Sequence, residues 1–394
     1  MRYHQGVHTV AWATAIRWFG WGLIEALMPV FTYRFTGNYL ETALITASFY
    51  VFFLLAIPLA GVLADHLSAR TILMVSLFIY VFVGVAYFIS GINGLVAAMI
   101  AARALNGIAL SLDVVARMTY LRRHVHKERI ASALGYLTTL GNSMWMLALV
   151  LSLGLVTIIP LHILFLGISL TAALALWLVW HKLMPDVDEQ PLSELKIVRA
   201  YKDMYIRMRE RRVGLYTLAG LAFALGFMGV ITLFLVPLYI YAADQNLRHV
   251  VLTTGFVSVP LLLARPIGAL ADKLQRRAFF IGFPVLIALL TTIPLVPFIV
   301  KLVLIFFVGA LIELFVLTHA SIVTHRVLPE RYGRAEGVMQ FSSNIGTIVG
   351  SAAVGAIIEW GGTDRSFIVL AAVAAATLLF LYLKRRVLTP LHHA

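Results

Sequence analysis

The chain has 394 residues, of which 61% are hydrophobic and 12% charged, and its mean hydropathy is +0.93. Soluble domains carry charge on about a quarter of their residues, so this composition argues against a large water-soluble helical protein. The absence of cysteine excludes disulfides, thiol chemistry and cysteine metal sites.

Twelve apolar runs follow one another, near residues 9–33, 41–63, 71–92, 94–121, 130–157, 160–182, 213–241, 249–271, 278–299, 302–327, 335–359 and 365–387. Each approaches or exceeds the ~20 residues that a helix needs to cross a hydrocarbon core. In lipid every backbone polar group must be satisfied within the segment, so these runs are predicted helices. The first lacks a small-residue cleavage site after a short apolar core, and it is expected to be a retained span.

The formal net charge of +13 would suit a nucleic-acid partner. The basic residues, however, are dispersed over many short loops. With a cytoplasmic N-terminus, one set of loops collects Arg2, Arg70, Arg122, Arg123, Lys127, Arg129, Lys273, Arg276, Arg277, Arg326, Arg331, Arg334 and Lys384-Arg385-Arg386. The opposite loops hold only Arg34, Arg248, Lys301 and Arg365. That asymmetry predicts the orientation, with both termini in the cytoplasm. A multi-pass protein of the cell membrane, the bacterial inner membrane, is expected. Aromatic residues near the run ends, among them Tyr33, Tyr39, Tyr239, Tyr241 and Trp360, are expected as interfacial anchors.

The longest polar stretch, Pro185–Arg212, opens with Pro185-Asp186-Val187-Asp188-Glu189-Gln190-Pro191, a linker composition. Leu195, Val198, Tyr201, Tyr205 and Met208 then recur at helical spacing among Lys196, Arg199, Lys202, Arg207 and Arg209. They predict an amphipathic basic helix on the membrane surface. A tether between two halves is the simpler role, a lipid-sensing or docking element the other. The chain therefore divides into residues 1–184, a linker 185–212, and residues 213–394.

A motif repeats across that division. Gly61-Val62-Leu63-Ala64-Asp65-His66-Leu67-Ser68-Ala69-Arg70 is echoed 207 residues later by Gly268-Ala269-Leu270-Ala271-Asp272-Lys273-Leu274-Gln275-Arg276-Arg277. Pro29 and Tyr33 match Pro237 and Tyr241, while Gly107, Glu128, Arg129 and Gly135 match Gly309, Glu330, Arg331 and Gly337. Matches in the same order in two halves mark a duplicated unit. The G-x-L-A-D loops resemble the signature of the major facilitator superfamily, and the resemblance extends over nearly the whole chain. It implies an all-α membrane protein of twelve transmembrane helices, in two six-helix bundles related by a pseudo-twofold axis. The first loop departs from the family pattern at His66, Ser68 and Ala69, and the second has Gln275 where the family favours glycine.

Ionisable residues inside apolar runs are costly and usually face a cavity or a partner. Arg17, Trp21, Glu25 and Met28 share one helical face in the first run, and Arg103, Asn106, Leu110, Asp113 and Arg117 share one in the fourth. At about 1.5 Å per residue, Glu25 and Arg103 lie ~12 and ~13 Å from the same side, so a pair across the first bundle is expected. Asp113 and Arg117 are one turn apart, a spacing that forms ion pairs readily and suits a gate. Glu313 in the tenth run is a second cavity acid, and His319 reads as a packing histidine.

The resemblance implies that the first, fourth, seventh and tenth helices line the transport cavity. It likens Arg103-Ala104-Leu105-Asn106-Gly107 to the family's R-x-x-x-G signature, often linked to proton coupling. Glu25 stands where several proton-coupled drug exporters of the family carry a membrane acid. Desolvation favours a protonated carboxyl and a nearby guanidinium favours an ionised one, so Glu25 with Arg103 can load and release a proton; a static bridge is the other reading. The loop residues Gly61, Asp65, Arg70, Gly268, Asp272, Arg276 and Arg277 are implied to latch one access state. Gly61 and Gly268 are expected to let a second helix approach closely, and each aspartate to face an arginine or a helix N-terminus.

The exporters' Gly-Pro motif is missing from the fifth run, which has Gly135 and Gly141-Asn142 but no Gly-Pro pair, while Gly346, Gly350 and Gly355 in the eleventh read as close packing. No ATP-binding loop or H-E-x-x-H pattern occurs. The expectation is a secondary active transporter, not an enzyme. It acts as a monomer without cofactor or metal, and exports a small amphiphilic molecule by proton-coupled alternating access, as an antiporter. Proton-coupled uptake, uniport, a lipid or lysolipid flippase, and a non-transporting receptor or scaffold are the alternatives.

Overall fold

Two matched prolines interrupt the first and seventh predicted helices. Proline has no N–H for the carbonyl four residues earlier. Pro29 therefore leaves the Glu25 carbonyl without its α-helical donor, and Met28 N–H takes that carbonyl instead. The computed structural model, which describes residues 5–126, 129–185, 213–326 and 332–384, accordingly divides the first run. It consists of α1 (Gln5–Gly22), a 3-10 turn (Glu25–Leu27) and α2 (Met28–Thr36). Pro237 does the same to the Leu233 carbonyl in the seventh run. There the chain relaxes through a π-helical turn, Ile231–Leu235, between α8 (Val213–Val230) and α9 (Val236–Asp244), with Val236 N–H bonded to the Ile231 carbonyl.

The other long helices are α3 (Tyr39–His66), α4 (Ala69–Asn93), α5 (Val96–His124), α6 (Ile130–Leu155) and α7 (Leu166–Lys182), then α10 (Leu247–Leu262), α11 (Ala264–Leu274), α12 (Arg277–Thr292), α13 (Phe298–Arg326), α14 (Tyr332–Gly361) and α15 (Thr363–Leu383). Among the described residues, 10 helices are long and apolar enough to cross a membrane, and 11 if α10 and α11, bent by 61°, form one span. That bend falls where Pro266 denies a donor to the Leu262 carbonyl. The remaining expected span is the divided first run, which also carries Arg17. The predicted amphipathic helix of the linker lies outside the described residues, as do Glu128, Glu330 and Arg331.

The apolar faces explain the composition. Along α4, Ile72, Ser76, Tyr80, Val83 and Tyr87 are buried, whereas Val75, Phe78, Phe82, Val85 and Ile89 on the opposite side are exposed. A helix that is apolar all round and exposes large side chains is built for lipid.

Contacts divide the chain into two units, residues 1–36 with 48–206, and residues 37–47 with 207–394. In the first, α1 packs on α6 and α7, and α4 on α5 and α7. In the second, α8 packs on α14, α10 on α13, and α12 on α15. The tightest seams correspond. A Cβ on Gly22 would lie 2.3 Å from the Trp145 carbonyl oxygen, and one on Gly226 1.9 Å from that of Ser343. Gly107 against Phe49, at 2.4 Å, matches Gly309 against Val257, at 2.0 Å. Small residues thus let backbones touch in the corresponding helix pairs of each bundle. The predicted close packing of Gly346, Gly350 and Gly355 is present, with neighbouring atoms at 2.0, 2.9 and 2.4 Å from a built Cβ.

Gly61 and Gly268 behave differently from expectation. A Cβ on Gly61 meets nothing within 4 Å, and one on Gly268 meets only Leu317 Cδ1 at 3.9 Å. Among the described residues, no neighbouring helix backbone comes within 4 Å of a Cβ built at either position. Tyr239 also departs from its expected role as an interfacial anchor. It is 5% exposed, packs edge-on against Phe367, and accepts a 2.6 Å hydrogen bond from Lys301 Nζ.

Candidate functional site

The first unit gathers its charges at two levels along α1 and α5. Near the C-terminal end of α5, Asp113 Oδ2 accepts from Arg17 at 2.9 Å and from Arg117 at 2.7 Å. The three side chains are 1%, 3% and 12% exposed, respectively. The predicted Asp113–Arg117 pair is present, and Arg17 joins it from α1. One carboxylate facing two guanidiniums leaves a net positive group in an apolar interior, which is tolerable only while both pairs hold. The Arg17 guanidinium also lies 4.8 Å from the Tyr80 ring centroid, a cation–π contact.

Aromatic rings connect this level to the next. Trp21 sits edge-on to both Tyr80 and Tyr87, with centroids 6.4 Å apart in each case. Both tyrosines are fully buried, and the Tyr87 hydroxyl faces Arg103 and Asn106 without closing a hydrogen bond of good geometry. Asn106 is itself buried.

Glu25 belongs to the second level. Its Oε2 accepts a 2.7 Å hydrogen bond from Trp145 Nε1 on α6. Arg103, whose guanidinium lies 5.0 Å from the Phe49 ring centroid, and Arg17 are both within electrostatic reach of the carboxylate. Tyr50 on α3 faces both Glu25 and Arg103. Glu25 and Arg103 thus share a neighbourhood, as their depths predicted, but the hydrogen bond that fixes Glu25 comes from an indole. Trp145, Tyr50, Tyr80 and Tyr87 are members that the sequence did not single out. Trp145 is 120 residues from Glu25, and no spacing rule links them.

In the second unit, Glu313 is half-buried on α13, and no described residue hydrogen-bonds or ion-pairs with it. His319 is buried, with Nε2 3.0 Å from the Leu218 carbonyl. A carbonyl only accepts, so Nε2 carries the proton and the histidine is a satisfied packing residue, as expected.

Among the described residues, neither loop aspartate forms an ion pair with an arginine. Asp65 is exposed, and among the described residues it has no hydrogen-bond or ion-pair partner. Asp272 accepts from Ser321 Oγ at 2.9 Å. The arginines near the first loop bind carbonyls at helix ends instead, where acceptors lack partners of their own. Arg123 donates to the Ala64 carbonyl at 2.7 Å, and Arg70 to that of Trp180 at 2.9 Å. Ser68 caps α4 by accepting from Thr71 N–H at 3.1 Å. Arg276 and Arg277 stand at the start of α12.

A family model described as Major Facilitator Superfamily matches residues 10–264 and again 246–393. The chain belongs to the Major Facilitator Superfamily. It is a multi-pass membrane transporter of small molecules, not an enzyme. No curated protein matches the sequence. Solved transporters share the superfamily fold at low identity. A crystal structure of the nucleoside transporter NupG is 14% identical with a TM-score of 0.76, over 95% of this chain and 99% of that one. A D-xylose–proton symporter is 13% identical with a TM-score of 0.75, over 95% and 97%. A POT family transporter in complex with 5-aminolevulinic acid is 12% identical with a TM-score of 0.78, over 98% and 97%.

Proposed function

We propose that this superfamily member is a proton-coupled secondary transporter of a small, amphiphilic organic molecule, with Glu25 as the group that takes and releases the proton. The observation that carries the reading is the placement of Glu25. It sits in a proline-induced break of the first span, hydrogen-bonded by Trp145 and within reach of Arg103. A carboxyl withdrawn from water favours its neutral form, while an indole donor and a guanidinium favour its charged form. A group balanced in this way changes protonation when its surroundings change, which alternating access requires. The proton coupling named for the xylose relative is compatible with this role. Arg103 tunes the carboxylate, and Asp113 with Arg17 and Arg117 clamps α1 to α5.

Both termini face the cytoplasm in this reading, supported by the distribution of Lys and Arg over the loops. Antiport and symport run the same cycle with opposite senses, so the polarity of an effective pH gradient assigns direction. The test is reconstitution of the purified protein in liposomes, after a panel of candidate ligands, lysolipids included, has been screened by thermal shift. A stabilising ligand should move when a pH gradient is imposed, and protons should move with it. A protein that binds ligand yet yields neither flux is a receptor or scaffold.

A further inference from the structure

The contact between α1 and α6 does more than hold two helices together. At Gly22 the two backbones meet, since a Cβ there would fall 2.3 Å from the Trp145 carbonyl oxygen and 2.9 Å from Ala148 Cβ. Gly22 is also the last residue of α1 before the break that contains Glu25. The backbone of Trp145 is thereby fixed against the end of α1, and its indole, 8% exposed, reaches the Glu25 carboxylate in the next turn of chain. An indole N–H can only donate, and it brings no charge of its own. It therefore distinguishes the ionised from the neutral carboxyl by hydrogen-bond strength alone.

We infer that Trp145 is the positioning residue of the proton site: it holds the Glu25 carboxylate to α6 and ties proton exchange there to the α1–α6 seam. The inference rests on the reading of Glu25 as the coupling group. Other groups face Glu25 as well, Arg103 from α5, Arg17 from α1 and Tyr50 from α3, so proton affinity is shared among them. What Trp145 adds is a direct hydrogen bond from a helix whose distance from α1 is set by backbone contact. A shift of α6 along α1 would lengthen that bond and change the protonation of Glu25.

The experiment uses the full chain in nanodiscs with isotope-labelled tryptophan. The Trp145 indole N–H resonance, assigned by its loss in Trp145→Phe, is followed from about pH 4 to about pH 9. It should move through one sigmoidal step, and the step should be absent in Glu25→Gln. In parallel, the infrared titration of the Glu25 carboxyl, taken as the difference from Glu25→Gln, should be displaced in Trp145→Phe. Losing a donor to the charged form moves its midpoint to the alkaline side by about one pH unit or more. Trp18→Phe trims a side chain that packs on Gly141 in the same seam but leaves the Gly22–Trp145 backbone contact and the Trp145–Glu25 bond in place, and it should leave the midpoint unmoved.

An indole resonance that ignores pH, a step that survives in Glu25→Gln, or an unmoved infrared midpoint would each overturn the inference. If Trp145→Phe does not fold, an indole step present in wild type and lost in Glu25→Gln decides, since among the described residues Trp145 is the indole that donates to Glu25. A Glu25→Gln protein that still accumulates ligand along a pH gradient overturns the transport reading instead, and none of these spectra depends on that outcome.

Discussion

Asp113 is the residue on which the charge balance of the first unit turns. Its single Oδ2 receives both Arg17 and Arg117, and all three side chains are nearly or fully removed from solvent. Asp113→Asn keeps the shape but leaves two guanidiniums without a counter-charge. Removing one partner of a buried ion pair costs about 3–5 kcal/mol. The variant should therefore unfold at a much lower temperature in detergent, and a midpoint within a degree or two of wild type would refute the clamp. Half of this group was legible, because Asp113 and Arg117 are one turn apart on one helix. Arg17 was legible only as a face-mate of Glu25. The break after Gly22 separates the two, sending Arg17 to Asp113 and Glu25 to Trp145.

Gln275 shows the opposite case, a residue whose cost is local. It occupies φ 48°, ψ −133°, a backbone region close to glycine-only. This is the position at which the repeated loop lacks the family's glycine, while Ser68 in the first loop keeps φ −66° and caps a helix. Gln275→Gly should raise stability by about 1 kcal/mol, the relief of strain less the extra chain entropy of glycine. Thermal unfolding of the variant against wild type checks the sign, and a lower midpoint would contradict it.

At the scale of elements, the prolines were visible as a repeat but their effect was not. Pro29 and Pro237 align, yet one break is a 3-10 turn and the other a π turn. Only the first break carries an acid; its counterpart in the second unit is Leu233. The glycines divide in a similar way. Gly107 and Gly61 both belong to recognisable motifs, but only Gly107 touches another backbone, with Phe49 O at 2.4 Å and Phe53 N at 2.8 Å from a built Cβ. Gly107→Ala should force α3 and α5 apart and cost about 1–3 kcal/mol. Gly61→Ala fills open space in a helix and should be neutral or stabilising by up to about 1 kcal/mol. Equal losses in the two variants, measured by thermal unfolding, would contradict this seam.

At the scale of the whole molecule, the bilayer made the architecture readable. It imposes run length, apolar faces and a charge asymmetry between loops, and each is written in the composition of single segments. The site was less readable because its decisive contact joins α6 to a turn 120 residues away. Substrate class is less readable still, since one fold hosts many solutes and selectivity resides in a few side chains. The account stands or falls on Glu25. In liposomes with an imposed pH gradient, the wild-type protein should accumulate its ligand, whereas Glu25→Gln should lose gradient-driven accumulation and retain exchange of ligand at equal pH. Accumulation by Glu25→Gln at the wild-type rate would contradict it.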